Sequence, residues 1–94
     1  MPTRKYAFRL YIVGGNVGSA RAEPDLRQAL DACLPQGYDL EVVDLRARPD
    51  LAEIDRVIAA PTVIRLSPQP VRRAIGSLSD PKALSAALSL PQPG

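Results

Sequence analysis

The chain has 94 residues, 46% of them hydrophobic and 23% charged, which is typical of one small globular domain and excludes a disordered chain. Its 12 Lys and Arg against 10 Asp and Glu leave a net charge of +2, too balanced for a nucleic-acid binder that relies on phosphate contacts. The sequence contains no His and a single cysteine, Cys33, which excludes His-based zinc sites, an intrachain disulfide and a CxxC redox pair.

The first predicted element is a strand over residues 6–13, because aromatic and β-branched side chains dominate it and Gly14-Gly15 stops it. We expect its later part to be buried on both faces. A helix follows, either capped by Ser19 or beginning at Pro24, since proline is tolerated in a first turn. Its apolar face has helical spacing and consists of Leu26, Ala29, Leu30, Cys33 and Leu34.

Residues 38–45 predict a second strand, and the intervening helix predicts that it runs parallel to the first. A helix over residues 50–59 comes next, with Asp50 as a possible N-cap. We expect one side of this helix to be buried, namely Leu51, Ile54, Val57 and Ile58.

Two short strands, residues 62–66 and 71–75, are separated by a proline-rich turn over residues 67–70. Asp80-Pro81 begins the last helix, with proline at its permitted first position, and Leu84, Leu88 and the alanines between them are expected to be buried. The order β-α-β-α-β-β-α predicts a single thioredoxin-like α/β domain over residues 1–94, with residues 91–94 as a flexible tail.

Catalytic chemistry is not indicated. The turn over residues 14–19 has no thiol and matches neither glycine-rich phosphate motif, and Cys33 lies on the apolar helix face, where a core role is expected. No carboxylate has a visible catalytic partner, so we predict neither an enzyme nor a cofactor or metal site. Several arginines in the later half, Arg56 and Arg65 among them, are instead compatible with a partner surface or an ordinary solvated face.

Several segments resemble the KaiB family of circadian clock proteins: residues 10–14, 42–45, 48–53 and 60–62, and the run Pro68-Gln69-Pro70-Val71-Arg72-Arg73-Ala74-Ile75-Gly76. The resemblance extends from about residue 8 to about residue 90. It implies a non-enzymatic regulator that binds a KaiC-type ATPase. It also implies a protein with two folds: a thioredoxin-like monomer that binds, and a resting tetramer with the order β-α-β-β-α-α-β.

The chain departs from the family pattern at several positions. Asn16-Val17 replace Thr-Pro, an acidic C-terminal tail is absent, and Glu41 replaces a lysine on the strand that faces KaiA in the family, which argues against KaiA binding. Ala87 replaces a glycine and Ser89 an aspartate in the last segment. These two changes favour a helix there by about 1 kcal/mol and about 0.3–1 kcal/mol. We therefore predict that the thioredoxin-like fold is the resting form and that the protein is largely monomeric, although a tetramer is possible.

The predicted partner contacts are Arg21, Arg56 and Arg65, and the predicted fold-switch residues are Pro61, Pro68, Pro70, Ala87 and Ser89. Either a cis or a trans bond before each of these prolines fits the sequence. The alternative to an ATPase regulator is a signalling or stress adaptor of the same fold that binds another protein, such as a histidine kinase. A thiol oxidoreductase is a third class, which the position of Cys33 disfavours. With no apolar run of about 18 residues and no signal peptide, we expect a cytoplasmic protein without nucleic-acid or membrane partners.

Overall fold

The computed structural model describes residues 6–14, 17–76 and 78–93, with the side chains of residues 17–19 left undescribed. The described elements form a four-stranded sheet of order β2-β1-β3-β4, in which β1 and β2 are parallel and the other pairs antiparallel. This arrangement confirms the predicted thioredoxin-like fold. In chain order the elements are β1 (Ala7–Ile12), α1 (Val17–Cys33), β2 (Asp39–Asp44), α2 (Pro49–Ile54), β3 (Thr62–Ser67), β4 (Arg72–Ile75) and α3 (Pro81–Leu88).

The central strand β1 has apolar side chains on both faces, as predicted. Phe8 and Leu10 enter a core shared with α1 and α3, whereas Tyr11 enters a smaller cluster with Val43 and Ile64. Alternate residues of a strand point to opposite faces, so α1 and α3 cover one side of the sheet and α2 the other. Leu10 and Tyr11 are both fully buried.

Helix α1 begins earlier than the sequence indicated, at Val17, and it contains Pro24 in its interior. The predicted N-cap at Ser19 and the alternative start at Pro24 were therefore both wrong. The buried Ala22 continues the apolar face toward the N-terminus and holds the first turns against the core. Pro24 cannot donate to the carbonyl of Ala20, but both residues lie on the exposed side of the helix, where water can satisfy that carbonyl. The predicted apolar face of α1 is buried throughout.

Helix α2 is shorter than predicted and ends at Ile54. Its N-cap is Arg48, not Asp50, and the Asp50 carboxylate instead accepts hydrogen bonds from the Arg48 guanidinium at 3.1 and 3.0 Å. The helix ends because Arg56 adopts a left-handed conformation with φ of 55°.

The early end of α2 changes which side chains are buried. Leu51 and Val57 pack against the smaller cluster as expected, but Ile54 and Ile58 are exposed. The predicted burial of Ile58 assumed helical spacing through residue 59, and the left-handed Arg56 breaks that spacing. Ile54 lies within the helix and is exposed nonetheless.

Helix α3 begins at Pro81 as predicted, with the Asp80 side chain as its N-cap. Leu84 and Leu88 are buried, but the alanines between them are exposed and Ser85 is buried instead. Burial of Ser85 is tolerated because its hydroxyl donates to the carbonyl of Lys82 at 2.9 Å.

The bonds preceding Pro61, Pro68 and Pro70 are all cis. Pro61 immediately precedes β3. The other two prolines lie in the turn between β3 and β4, and β4 begins at Arg72. The predicted strands over residues 62–66 and 71–75 therefore exist with bounds shifted by one residue at one end of each.

The N-cap of α3 gives a direct test of local stability. Replacing Asp80 with Ala removes the acceptor of the Lys82 backbone N–H, which lies 3.0 Å from the carboxylate. The free energy of unfolding, measured by urea denaturation, is expected to fall by about 1 kcal/mol. Lys82→Ala keeps that backbone donor and serves as the control, with a smaller expected loss. Equal losses in the two variants would contradict the capping role.

Candidate partner-binding surface

Large apolar side chains are exposed at two places in the described part of the chain. Ile54 and Ile58, 72% and 90% exposed, end α2 and follow it. Val71 and Ile75, 49% and 52% exposed, flank the two arginines of β4. Exposed apolar side chains matter functionally when they are contiguous, so the question is whether the two pairs meet.

Arg73 connects β4 to the turn that follows α2. It lies between Val71 and Ile75, two residues from each, so these three side chains share one face of β4. Its guanidinium donates to the backbone carbonyls of Asp55 at 2.6 Å and Arg56 at 3.2 Å. The turn after α2 is thereby held against β4.

A second contact closes the other end of this region. The backbone N–H of Gly76, directly after β4, donates to the carbonyl of Pro61 at 3.1 Å. Pro61, three residues after Ile58, thus lies beside the end of β4 that carries Ile75. We call the resulting region the α2–β4 surface; it consists of Ile54, Arg56, Ile58, Val71, Arg73 and Ile75.

The turn that carries Arg56 is held to the sheet by two side chains of β1. The Asp55 carboxylate accepts hydrogen bonds from the hydroxyl of Tyr11 and from the Arg9 guanidinium, the latter at 3.0 Å. Arg9 also pairs with Glu41 on β2 at 2.8 Å. The anchor begins in the buried cluster, because the Tyr11 side chain is fully enclosed.

The environment of Tyr11 favours its neutral form. Burial, and then the neighbouring Asp55, raise the pKa of the Tyr11 hydroxyl to about 12. The hydroxyl therefore keeps its proton, and remains a donor to Asp55, throughout the physiological pH range.

Arg56 gives the α2–β4 surface its free positive charge. It is exposed, and among the described residues no carboxylate forms an ion pair with it. The guanidinium of Arg73, in contrast, is engaged by carbonyls. Exposed isoleucines around an arginine are the composition expected of a protein-recognition site.

The three arginines predicted as contacts do not share one surface. Arg21 is exposed on α1, on the opposite side of the sheet from Arg56. Arg65 is only 4% exposed and points into the side of β3 covered by α1 and α3, so in this fold it does not offer its guanidinium to a partner. Only Arg56 of the three belongs to the α2–β4 surface.

The predicted fold-switch residues lie in the second half of the fold. Ala87 is exposed within α3, and Ser89 ends that helix in a left-handed conformation with φ of 53°. The segment from Ala86 is thus helical through Leu88 in this structure. A switch to a second fold stays a prediction.

The chemistry of the described residues does not support a redox or metal site. Cys33 is buried, its Sγ lies 3.6 Å from the carbonyl of Pro81, and burial raises the pKa of its thiol, which disfavours a reactive thiolate. Within the ranges described, no three His, Cys, Asp or Glu side chains are grouped to hold a metal ion. Nor is any helix among those residues long and apolar enough to cross a bilayer.

Sequence reasoning missed most of the α2–β4 surface. The sequence pattern predicts Ile54 and Ile58 to be buried, and Arg73 enters only within the run that resembles the KaiB family. The available signal was the adjacency of Arg72 and Arg73 in a short strand with β-branched neighbours. Which residues lay opposite them became visible only in the structure.

Comparison with known proteins finds a matching family. The KaiB domain family matches residues 9–90. A protein named circadian clock oscillator protein KaiB from Prochlorococcus marinus is 39% identical over 89 residues, covering 95% of this chain and 76% of the relative. A protein of the same name from Synechococcus elongatus is 38% identical over 89 residues, covering 95% and 87%.

Solved structures show the same fold at lower sequence identity. The N-terminal domain of Synechococcus elongatus SasA has a TM-score of 0.72 and 16% identity, with 92% of this chain and 81% of that chain covered. Mitochondrial thioredoxin 3 of Saccharomyces cerevisiae has a TM-score of 0.70 and 19% identity, with 93% and 79% covered. At such identities the similarity shows the fold alone.

The Tyr11 anchor predicts a specific alkaline pH dependence. The folded-state pKa of about 12 exceeds the unfolded value near 10, so this stabilisation is complete below pH 10 and is lost as the pH rises through 12. Tyr11→Phe should be less stable at neutral pH, because Asp55 loses a donor, and its stability should fall less steeply in alkali. Urea denaturation at several pH values measures both effects.

The control is Tyr38→Phe, which removes a hydroxyl that bonds Asp31 at 2.8 Å and also has a pKa raised to about 12. It should flatten the alkaline fall similarly, yet leave the NMR shifts of Asp55 and Arg56 unchanged. An alkaline fall in Tyr11→Phe as steep as in the parent chain would refute the anchor.

Proposed function

Because the chain belongs to the KaiB family, we propose that it is a non-enzymatic regulator that binds a KaiC-type ATPase through the α2–β4 surface. The observation that carries the proposal is the position of exposed isoleucines around Arg56 on a turn fixed from two sides. We further propose that it acts in clock-like timing in the cytoplasm. The names of its relatives, circadian clock oscillator proteins, support this setting.

The α2–β4 surface is suited to recognition because its parts are fixed before binding. Arg73 holds the turn to β4, and Tyr11 and Arg9 hold Asp55 from the sheet. A preorganised surface loses less conformational entropy on association, so more of its contact energy contributes to affinity. Its apolar side chains can lose water on binding, while Arg56 favours a partner with a carboxylate at the matching point.

Arg21 is a separate proposed contact. Its exposure on α1 allows a partner to reach it, but only a partner that extends around the sheet could contact Arg21 and Arg56 together. Arg65 is left out of the proposed contacts because its guanidinium is buried.

We also propose that the thioredoxin-like fold is the resting form and is largely monomeric in solution. Two features of α3 support this. Ala87 lies inside the helix, where alanine is favoured over glycine by about 1 kcal/mol. Asp80 caps its N-terminus through a side-chain hydrogen bond.

A second candidate is an adaptor of the same fold that binds a different protein, such as a histidine kinase. Glu41 favours this alternative, because it is exposed on the edge strand β2 and places a negative charge where the family resemblance implies a lysine for KaiA. The same α2–β4 surface would serve in both cases, so the identity of the partner distinguishes them.

Binding is tested with the KaiC-type ATPase from the same source, by native mass spectrometry in the presence of nucleotide. The parent chain is expected to decorate the ATPase ring at low micromolar concentrations. Ile58→Asp and Arg56→Glu should each weaken binding about tenfold or more, since they place a charge among the isoleucines or reverse the cation. Arg21→Glu tests the separate contact in the same assay.

The matched control for these variants is Lys82→Glu, which reverses an exposed charge on α3, away from the α2–β4 surface. It should bind like the parent chain. No complex at tens of micromolar with the parent chain would instead favour the adaptor. Binding that is unaffected in both Ile58→Asp and Arg56→Glu would place the interface elsewhere.

The resting fold is tested by NMR assignment of the isolated chain. Helical carbon shifts are expected for residues 81–88 and strand shifts for residues 62–67, at a translational diffusion rate typical of a monomer. Strand shifts over residues 86–90, or helical shifts over residues 63–66, would overturn the proposal.

A further inference from the structure

Arg65 is a buried cation whose role neither the fold nor the proposed surface explains. Its guanidinium donates from Nη1 to the carbonyl of Ser89 at 3.1 Å and from Nη2 to the carbonyl of Pro70 at 2.7 Å. Its Nε is buried without a hydrogen-bond partner. Such an unsatisfied buried donor is rare in native proteins and calls for a physical reason.

The surroundings of Arg65 add to the cost of burying it. Among the described residues no carboxylate pairs with it, and its cross-strand neighbour on β4 is a second cation, Arg72. The two carbonyls, with the negative end of the α3 dipole beside Ser89, are what compensate the charge. An apolar residue at this position of β3 would avoid the desolvation cost of a buried charge. The stabilising contribution of Arg65 therefore comes from its two hydrogen bonds.

Those two acceptors belong to segments that would each be only marginally stable apart from the rest of the fold. Pro70 lies in the turn that leads into β4, a four-residue edge strand, and Ser89 ends α3, an eight-residue helix. A helix of this length is not stable alone, and an edge strand is bonded on one side only. Through its two hydrogen bonds, the Arg65 guanidinium connects both segments to β3, an interior strand of the sheet.

We propose that Arg65 is a latch that makes the turn at Pro70, β4 and the end of α3 a single cooperative unit. With the latch closed, the unit is held on β3 and behaves as part of the whole domain. With the latch broken, β4 and the end of α3 open together while β1, β2 and α1 remain folded. Opening would also carry away the β4 half of the α2–β4 surface.

Native-state hydrogen exchange on the full chain tests the latch residue by residue. Two amides report on the unit: Leu90, which donates to the carbonyl of Ser85, and Ala74 in β4. Leu34, which donates to the carbonyl of Leu30, reports on the rest. In Arg65→Met the first two should exchange at least about tenfold faster, by similar factors, while Leu34 changes much less.

Two further variants sharpen the result. Arg72→Met removes the exposed neighbouring cation and should leave all three amides close to their parent rates or slower. Arg65→Lys keeps the charge but not the two-pronged geometry, so Leu90 and Ala74 should again accelerate, by smaller factors. It also serves as the test if Arg65→Met does not fold.

The latch is overturned by any of three results. Equal acceleration of all three amides would mean that Arg65 contributes only to global stability. Acceleration of Leu90 without Ala74, or the reverse, would mean that the two segments open independently. Parent-like exchange rates in Arg65→Lys would mean that the two-pronged geometry of the guanidinium has no role.

Discussion

The turn after α2 depends on how Tyr11 is buried. The central strand β1 presents apolar side chains to both faces, and Tyr11 brings a hydroxyl into the smaller cluster, where it needs an acceptor. Asp55 supplies that acceptor. Because Asp55 is the C-cap of α2, satisfying one buried hydroxyl also ties the end of that helix to the sheet, next to the left-handed Arg56.

Arg65 on β3 and Arg73 on β4 make the same kind of hydrogen bond but connect different parts of the fold. Arg65 and Arg73 both donate to backbone carbonyls of segments distant in sequence, and neither is paired with a carboxylate among the described residues. One points into the interior and ties a helix end to a turn. The other lies on the opposite face and ties a turn to an exposed strand.

The sequence predicted the fold because the strongest signals were local and repetitive. The apolar face of α1, the burial of the later part of β1 on both faces and the Asp80-Pro81 start of α3 each follow from a short local pattern, and each is confirmed. The order of the predicted elements indicated the thioredoxin-like arrangement, which the four-stranded sheet confirms. The predictions were wrong at the start of α1, which contains Pro24, at the N-cap of α2, and at Arg56, whose left-handed backbone has no sequence signature in an arginine.

The candidate surface was harder to predict for the same reason. Ile54 and Ile58 have helical spacing with Leu51, so sequence periodicity placed them in the core. The turn that follows Ile54 is held to β4 by Arg73, which reaches backbone carbonyls that do not depend on side-chain identity. Interactions of side chains with distant backbone leave almost no trace in a single sequence.

The left-handed backbone at Arg56 also limits how this position can change over evolutionary time. A β-branched residue there would be strained, whereas glycine or asparagine would relax the turn. Loss of the positive charge could therefore arrive together with a gain in stability. Backbone stability alone would favour glycine or asparagine over arginine at position 56, so the side chain there is not the one that the conformation of the turn selects.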